Sequence, residues 1–491
     1  MERNAGCRAF LDYHHDVGIN RIGEFEDTMK LTLKDQQVLV LGLGDTGLSA
    51  LRWLKRQGAL LSVADTRQVP PGVEAVRTEM PEVKMHLGEF NPEVLIKTDL
   101  IVISPGVALA EPMVQAAIAQ GVKVVGDVEL FAQHKPTKAK VIAITGANGK
   151  STVTTMVGDI CKAAGMKTVV AGNIGLPVLD TLSDEVDVPD VYVLELSSFQ
   201  LETTSSLNAD ASTVLNISED HMDRYDSFAD YAAAKNRIFA GHGVQVLNRQ
   251  DVWSMGMAIA GRPMITFGLD APKQGSDFGL IDAANDAVLV QGDHALLDMG
   301  DLKVAGSHNA ANALAAMALC QSVGVPEAPM LQALRSYQGL SHRVEWVANI
   351  NHIDFYDDSK GTNVGATCAA LEGLVTSASS RKVVLIAGGD GKGQDFSPLR
   401  EPVQKNARAV LLIGRDASKI KASLSGLDVE LIDAASLEDA VKKSMAVARS
   451  GDVVLLSPAC ASFDMFRNYV HRAEVFVTSV MALETSKEAS L

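Results

Sequence analysis

Three times along the chain a run of apolar positions ends in a glycine-rich turn: Val38 to Gly44 (VLVLGLG), Val141 to Lys150 (VIAITGANGK) and Val383 to Gly393 (VVLIAGGDGKG). Strands buried on both faces of a parallel sheet read this way, whereas a strand with one wet face alternates. A helical spacing follows the first run over Thr46 to Gln57, and further apolar segments come at Leu60 to Asp65, Leu100 to Ser104 and Val122 to Val125. The last run repeats the rhythm with Val410 to Gly414, Val429 to Asp433 and Val453 to Ser457. Strands alternating with helices predict doubly wound α/β sheets. The polar, proline-containing stretch His134 to Lys140 and the segment Gly339 to Arg343 interrupt the rhythm, which predicts domains over 29–135, 136–340 and 341–491. Residues 1–28 mix Arg3, Arg8, Asp12, Arg21 and Glu24 without an apolar core, so a disordered extension is expected there and not a secretory signal.

Composition narrows the class. A chain of 491 residues, 47% hydrophobic, is too long for one ordinary core. Its 21% charged and 5% aromatic residues fit a soluble α/β enzyme. A formal charge of −16 argues against a nucleic-acid partner, but backbone amides and a few placed cations can still hold phosphates locally. Cys7, Cys161, Cys320, Cys368 and Cys460 lie far apart with no C-x-x-C pair, the pattern of reduced thiols in a cytoplasmic protein without structural zinc. No apolar stretch approaches the roughly 20 residues of a membrane span.

The chemistry sits at the glycine turns. Gly42-Leu43-Gly44-Asp45-Thr46-Gly47 joins a strand to a helix, and Asp65 closes the next strand about 20 residues on, as in dinucleotide-binding folds. Glycines that admit a pyrophosphate and an acid that accepts from a ribose suit a UDP-sugar as well as NAD, and this motif alone leaves both open. Gly146-Ala147-Asn148-Gly149-Lys150-Ser151-Thr152 is a shortened phosphate loop, with Lys150 to reach terminal phosphates and Ser151 or Thr152 to reach magnesium. A pure dehydrogenase has no use for it. Glu195 follows the Val191 to Leu194 strand, where magnesium ligands of nucleotide-binding sheets sit. Asn216 to Arg224 (NISEDHMDR) is dense in potential ligands, and Lys235 lies on a small-residue helix behind it. Alone, His221 would be an ordinary loop histidine and Lys235 a solvated helix lysine; their neighbours change that reading. The expected fold class is α/β in three domains: a Rossmann-like N-terminal domain, a central P-loop ATPase-like domain and a C-terminal Rossmann-like domain.

Taken in order, G-x-x-G-K-S-T, E-L-S-S-F-Q, E-D-H-M-D-R, A-A-K, H-N-x-x-N and H-R resemble the Mur ligase family from Met29 to the last helices. The resemblance implies ATP on Gly146, Asn148, Gly149, Lys150, Ser151 and Thr152, adenine on Asn312, and Arg343 reaching the nucleotide from the third domain. It implies two magnesium ions held by Ser151, Glu195, His221 and Lys235, the lysine carrying carbon dioxide as a carbamate. The first domain matches a UDP site at Thr46, Asp65, Thr66, Arg67 and Gly106, with Asn173 on the sugar. Asp358-Ser359-Lys360-Gly361-Thr362-Asn363, Lys392 and Ser462 look like the D-glutamate-adding branch, in which Thr362, Lys392, Ser462 and Tyr469 hold D-glutamate and Asp358 and Lys360 serve the nucleotide. A dianionic amino acid does want a lysine and hydroxyl donors. Tyr469 and Gly361 replace the usual Phe and Ala, and Asp45 an apolar residue on the uracil side. The expected partners are UDP-N-acetylmuramoyl-L-alanine and D-glutamate, on a monomer. A sibling ligase, a folylpolyglutamate-type ligase and, further off, a nicotinamide dehydrogenase are the alternatives.

Overall fold

The computed structural model describes residues 32–182, 188–282, 287–304, 306–375 and 381–488; the expected extension at 1–28 lies outside them. Three sheets take their strands in succession along the chain. The first is all parallel, in the order β3 (Lys84–Leu87), β2 (Leu60–Asp65), β1 (Gln37–Leu41), β4 (Leu100–Ile103), β5 (Lys123–Val125). The apolar run of β1 feeds two layers at once, because alternate side chains leave opposite faces. Val38 and Val40 pack with Trp53 and Leu54 of the helix Asp45–Arg56, while Leu39 and Leu41 pack with Leu95 and Val114.

The second sheet is larger than the glycine turns suggest. Nine strands run in the order β14 (His294–Asp298), β13 (Ala287–Gln291), β12 (Phe278–Asp282), β11 (Met264–Phe267), β10 (Val244–Asn248), β9 (Ala211–Val214), β6 (Lys140–Thr145), β8 (Val191–Glu195), β7 (Thr168–Gly172). Strands β6 to β12 pair in parallel; β12, β13 and β14 form an antiparallel tail. Strand β6 is buried from Val141 onward and lies between β8 and β9. The turn after it therefore opens at mid-sheet, where a crevice forms outside the carboxyl ends of parallel strands. The third sheet runs β15 (Glu345–Ile350), β16 (Ile353–Asp357), β20 (Val453–Leu456), β17 (Val383–Gly388), β18 (Ala407–Ile413), β19 (Glu430–Asp433), antiparallel only at its β15 edge.

The first two sheets share one apolar cluster, which joins Trp53 and Phe131 to Tyr192 and Leu194. Ser49 Oγ adds a 2.7 Å hydrogen bond to Asp180. Among the described residues, no helix is long and apolar enough to cross a membrane.

Candidate active site

The phosphate loop leaves the carboxyl end of β6. Its frame comes from the strand next door: Ala147 N–H donates to the Asn216 carbonyl at 2.9 Å, and Asn148 N–H to Asn216 Oδ1 at 2.8 Å. Gly149 stands at φ +82, and a Cβ there would lie 2.6 Å from Asn312 Oδ1, so only glycine admits both the turn and the neighbouring helix Ser307–Ser322. The helix Lys150–Ala163 then begins, presenting free amides and the positive end of its dipole to the crevice. Lys150 Nζ donates to the carbonyls of Gly146 and Ala147 at 2.9 and 2.8 Å. Burial pulls its amine below the usual lysine range, and the Glu195 and Asp220 carboxylates partly oppose that.

Glu195 is the last residue of β8 rather than the first beyond it, and it is buried. Oε1 accepts from Asn173 Nδ2 at 2.7 Å, whereas Oε2 is a buried acceptor without a partner, as a cation ligand would be. Lys235, on the helix Phe228–Asn236, is buried with Nζ 2.9 Å from the Gly146 carbonyl and 4.8 Å from the centre of the Tyr231 ring. Burial, then the charge of Lys150, drives its amine far below the usual lysine range. His221 sits at φ +56; burial and the nearby Lys392 and Lys150 outweigh Asp220 and push its imidazole down to about 4, so the ring is neutral at pH 7. Lys150, Glu195, His221 and Lys235, picked out separately in the sequence, thus face one another through Asp220 and Glu195.

Two cavities flank this cluster. One of about 370 Å³ takes in Asn148, Gly149, Thr152, Asn312, Arg343 and Asp358, drawn from the second and third sheets' domains. Burial pushes the Asp358 carboxyl up to about 7, although Ser457 Oγ donates to it at 2.6 Å. The other, of about 560 Å³, gathers Thr46, Asp65, Thr66, Arg67, Gly106 and Asn173. The helix Asp45–Arg56 can approach because Gly47 has no Cβ, which would fall 1.9 Å from the Gly42 carbonyl oxygen. Asp65 is engaged within its own domain. Its oxygens already take Leu43 N–H at 2.7 Å and the Arg67 fork at 2.8 and 2.6 Å. Burial would raise this carboxyl, but those bonds bring it down to about 2.

In the third domain β16, β20 and β17 are neighbours, so their carboxyl ends deliver Asp358, Lys360 and Thr362, then Ser462, then Lys392 to one edge. That edge meets the second domain. Lys392 Nζ lies 3.2 Å from Asp220 Oδ1, and Lys360 Nζ 3.4 Å from Ser151 Oγ. Tyr469 opens the last helix with its ring centre 5.5 Å from Lys360 Nζ and 6.2 Å from the His342 ring centre.

Three family models match in sequence: the MurD-like N-terminal domain of Mur ligases at residues 36–126, the Mur ligase middle domain at 144–320 and the Mur ligase glutamate ligase domain at 342–460. The UDP-N-acetylmuramoylalanine--D-glutamate ligase of Methylobacillus flagellatus is 65% identical over 460 residues, covering 94% of this chain and 100% of that one. The chain belongs to the Mur ligase family. The enzyme of the same name from Pseudomonas putida is 48% identical over 456 residues, covering 93% of this Mur ligase and 100% of its relative. Solved structures agree in fold: UDP-N-acetylmuramate-alanine ligase MurC of Thermotoga maritima superposes with TM-score 0.57 at 22% identity, covering 91% of this chain and 99% of that one. MurF of Acinetobacter baumannii does so with TM-score 0.59 at 17% identity, covering 92% and 91%.

Sequence reasoning missed several residues of this Mur ligase's site. Asp220 stood inside E-D-H-M-D-R, but its cross-domain partner was not readable. Gln200 ends the F-Q of its motif and lines the larger cavity. Arg472 is buried and donates to the Ser359 and Cys460 carbonyls at 2.7 and 3.1 Å, holding the Lys360 and Ser462 loops together; a lone arginine on a helix gave no signal. The larger cavity also permits a direct test of the ambiguous glycine motif. UDP should bind in calorimetry and NAD should not; micromolar NAD binding would reverse the UDP assignment.

Proposed function

We propose that this Mur ligase joins D-glutamate to UDP-N-acetylmuramoyl-L-alanine, consuming ATP and releasing ADP and phosphate, in the synthesis of the peptidoglycan precursor. The observation that carries this reading is the 65% identity, over 94% of this chain and all of the relative, to a UDP-N-acetylmuramoylalanine--D-glutamate ligase. The arrangement of the site supports it. Thr46, Asp65, Thr66, Arg67 and Gly106, with Asn173, take the UDP-sugar; Gly146, Asn148, Gly149, Lys150, Ser151, Thr152, Asn312, Arg343, Asp358 and Lys360 take ATP; Thr362, Lys392, Ser462 and Tyr469 take D-glutamate. The segments 29–135, 136–340 and 341–491 each carry most of one role, with Asn173 lent by the second to the UDP-sugar and Arg343, Asp358 and Lys360 by the third to ATP.

A carboxylate is inert to amines because oxide is a very poor leaving group, so the terminal alanine carboxylate must first accept the γ-phosphoryl of ATP. Lys150 and the amides of the phosphate loop stabilise the charge spread over that group, where catalysis is mostly positioning and electrostatics. The D-glutamate amine then attacks the acyl phosphate, a tetrahedral intermediate forms, and phosphate departs. Ser151, Glu195, His221 and a carbamylated Lys235 would hold magnesium: Glu195 has a spare buried oxygen, and the imidazole is neutral. Bound there, magnesium supplies positive charge to the phosphates. Closure of the third domain through Lys392 and Lys360 keeps water from the acyl phosphate.

Phosphate release from ATP in the presence of UDP-N-acetylmuramoyl-L-alanine tests the assignment. D-glutamate should support sustained turnover, while L-glutamate, meso-diaminopimelate and D-alanyl-D-alanine should not. Equal rates with L-glutamate would sink the substrate assignment.

A further inference from the structure

Arg224 ends the segment that carries His221, and its guanidinium crosses from the second domain to the first. Nη1 donates to the Pro105 carbonyl at 2.8 Å and Nη2 to the Val107 carbonyl at 3.2 Å. These two residues flank Gly106 in the turn that lines the larger cavity. Nη2 also meets Glu202 Oε2 at 3.2 Å, and Glu202 Oε1 accepts from the Tyr225 hydroxyl at 2.5 Å. The guanidinium carbon lies over the Phe199 ring, 3.9 Å from its centre. Phe199 in turn touches the His221 ring edge to face at 4.7 Å, and the Arg224 amide donates to the His221 carbonyl at 2.9 Å.

One side chain therefore uses a two-pronged donor, a paired carboxylate and a stacking face together. Lysine offers none of these combinations, since its ammonium is a point charge without a plane. The loop it closes turns sharply, with His221 in left-handed backbone and the Arg224 amide bonded back to the His221 carbonyl.

We propose that Arg224 is a positioning residue that couples the two ends of the reaction: it ties the turn from Ser104 to Val107 in the UDP-substrate cavity to the loop that presents His221. The proposal rests on the reading of that cavity as the UDP-substrate site. A ligand that seats the turn also seats the His221 loop, and a loosened loop weakens the ligand, since coupling between sites is reciprocal.

The test is Arg224→Lys, read by calorimetry with UDP-N-acetylmuramoyl-L-alanine in the absence of ATP and magnesium, and by steady-state kinetics. The Kd and the KM for this substrate should each rise about tenfold, the effect of losing a hydrogen bond made by a charged group. In the same variant kcat should fall, while the KM for D-glutamate should hold, because Thr362, Lys392 and Ser462 lie on another domain. Glu202→Gln keeps an acceptor but drops the charge, and should move the same two quantities in the same direction by less. An unchanged Kd in Arg224→Lys overturns the proposal. So does an equal rise of all three KM values with a lowered Tm, which marks a merely structural arginine. If Arg224→Lys does not fold, Glu202→Gln decides by the same readings. Unmodified enzyme that fails to bind the UDP-substrate breaks the functional assignment itself; normal binding by both forms removes only the role of Arg224.

Discussion

Lys235→Arg is expected to lower kcat by roughly two to three orders of magnitude while the chain still folds and binds ATP, the loss that goes with several kcal/mol of charge stabilisation at a transferring phosphoryl group. The lysine is buried within 2.9 Å of the phosphate-loop carbonyl of Gly146, near Glu195 and Asp220. An ammonium ion there would repel magnesium. A carbamate, formed when the amine nitrogen bonds to the carbon of carbon dioxide and releases one proton, offers hard oxygen ligands instead. Only the neutral amine reacts in this way, and the buried site favours the neutral form. Arginine keeps the cation, stays protonated and cannot follow. Steady-state kinetics with and without added bicarbonate measure the effect, and carbon-13 NMR with labelled carbon dioxide should give a carbamate signal that the arginine variant lacks. An arginine variant with close to normal kcat rejects the carbamate.

Lys392→Ala should raise the KM for D-glutamate about tenfold to a hundredfold and leave the KM for ATP near its starting value, since a hydrogen bond to a charged group contributes about 1.5 to 3 kcal/mol. Lys392 lies 3.2 Å from Asp220, which is buried, so the pair holds the third domain against the loop of His221. On the proposed reading, glutamate brings a second carboxylate to the same ammonium. Burial would raise the Asp220 carboxyl, but its charged neighbours, Lys392 and Lys150 among them, hold it below the usual range. A matching rise in both KM values would show that Lys392 supports closure alone and does not touch the amino acid.

The parts of this molecule that were legible in the sequence share one physical origin: a buried parallel strand, a glycine turn and a helix leave an apolar run with punctuation. Strands β1, β6 and β17 and the loops at Gly42, Gly146 and Gly389 have that form. The antiparallel tail β12 to β14 does not, because short strands with exposed ends, as in Phe278–Asp282, carry weak periodicity and no phosphate loop. The edge strand β15 was missed for the same reason; Trp346 on it is 56% exposed. Contacts that assemble the site across domains were out of reach for another reason. Lys392 and Asp220 are separated by 172 residues, and Lys360 and Ser151 by 209, so only the folded chain brings each pair together. The bonds that Asp65 accepts within its own domain were out of reach as well, because nothing in a sequence says which donors a carboxylate will meet.

The clamp of Asp65 on Arg67 has a thermodynamic consequence. The arginine side chain is 53% exposed, and yet Nε, Nη2 and the main-chain amide are all fastened to one carboxylate. A free arginine has about 2 kcal/mol of rotamer entropy to lose on being ordered. Here most of that freedom is surrendered when the first domain folds, so an arriving ligand finds the side chain already immobile. The ordering cost is thereby moved from the binding equilibrium into the folding equilibrium. A variant that frees Arg67, such as Asp65→Asn, should therefore bind UDP with a larger entropic penalty while the domain is still fully folded.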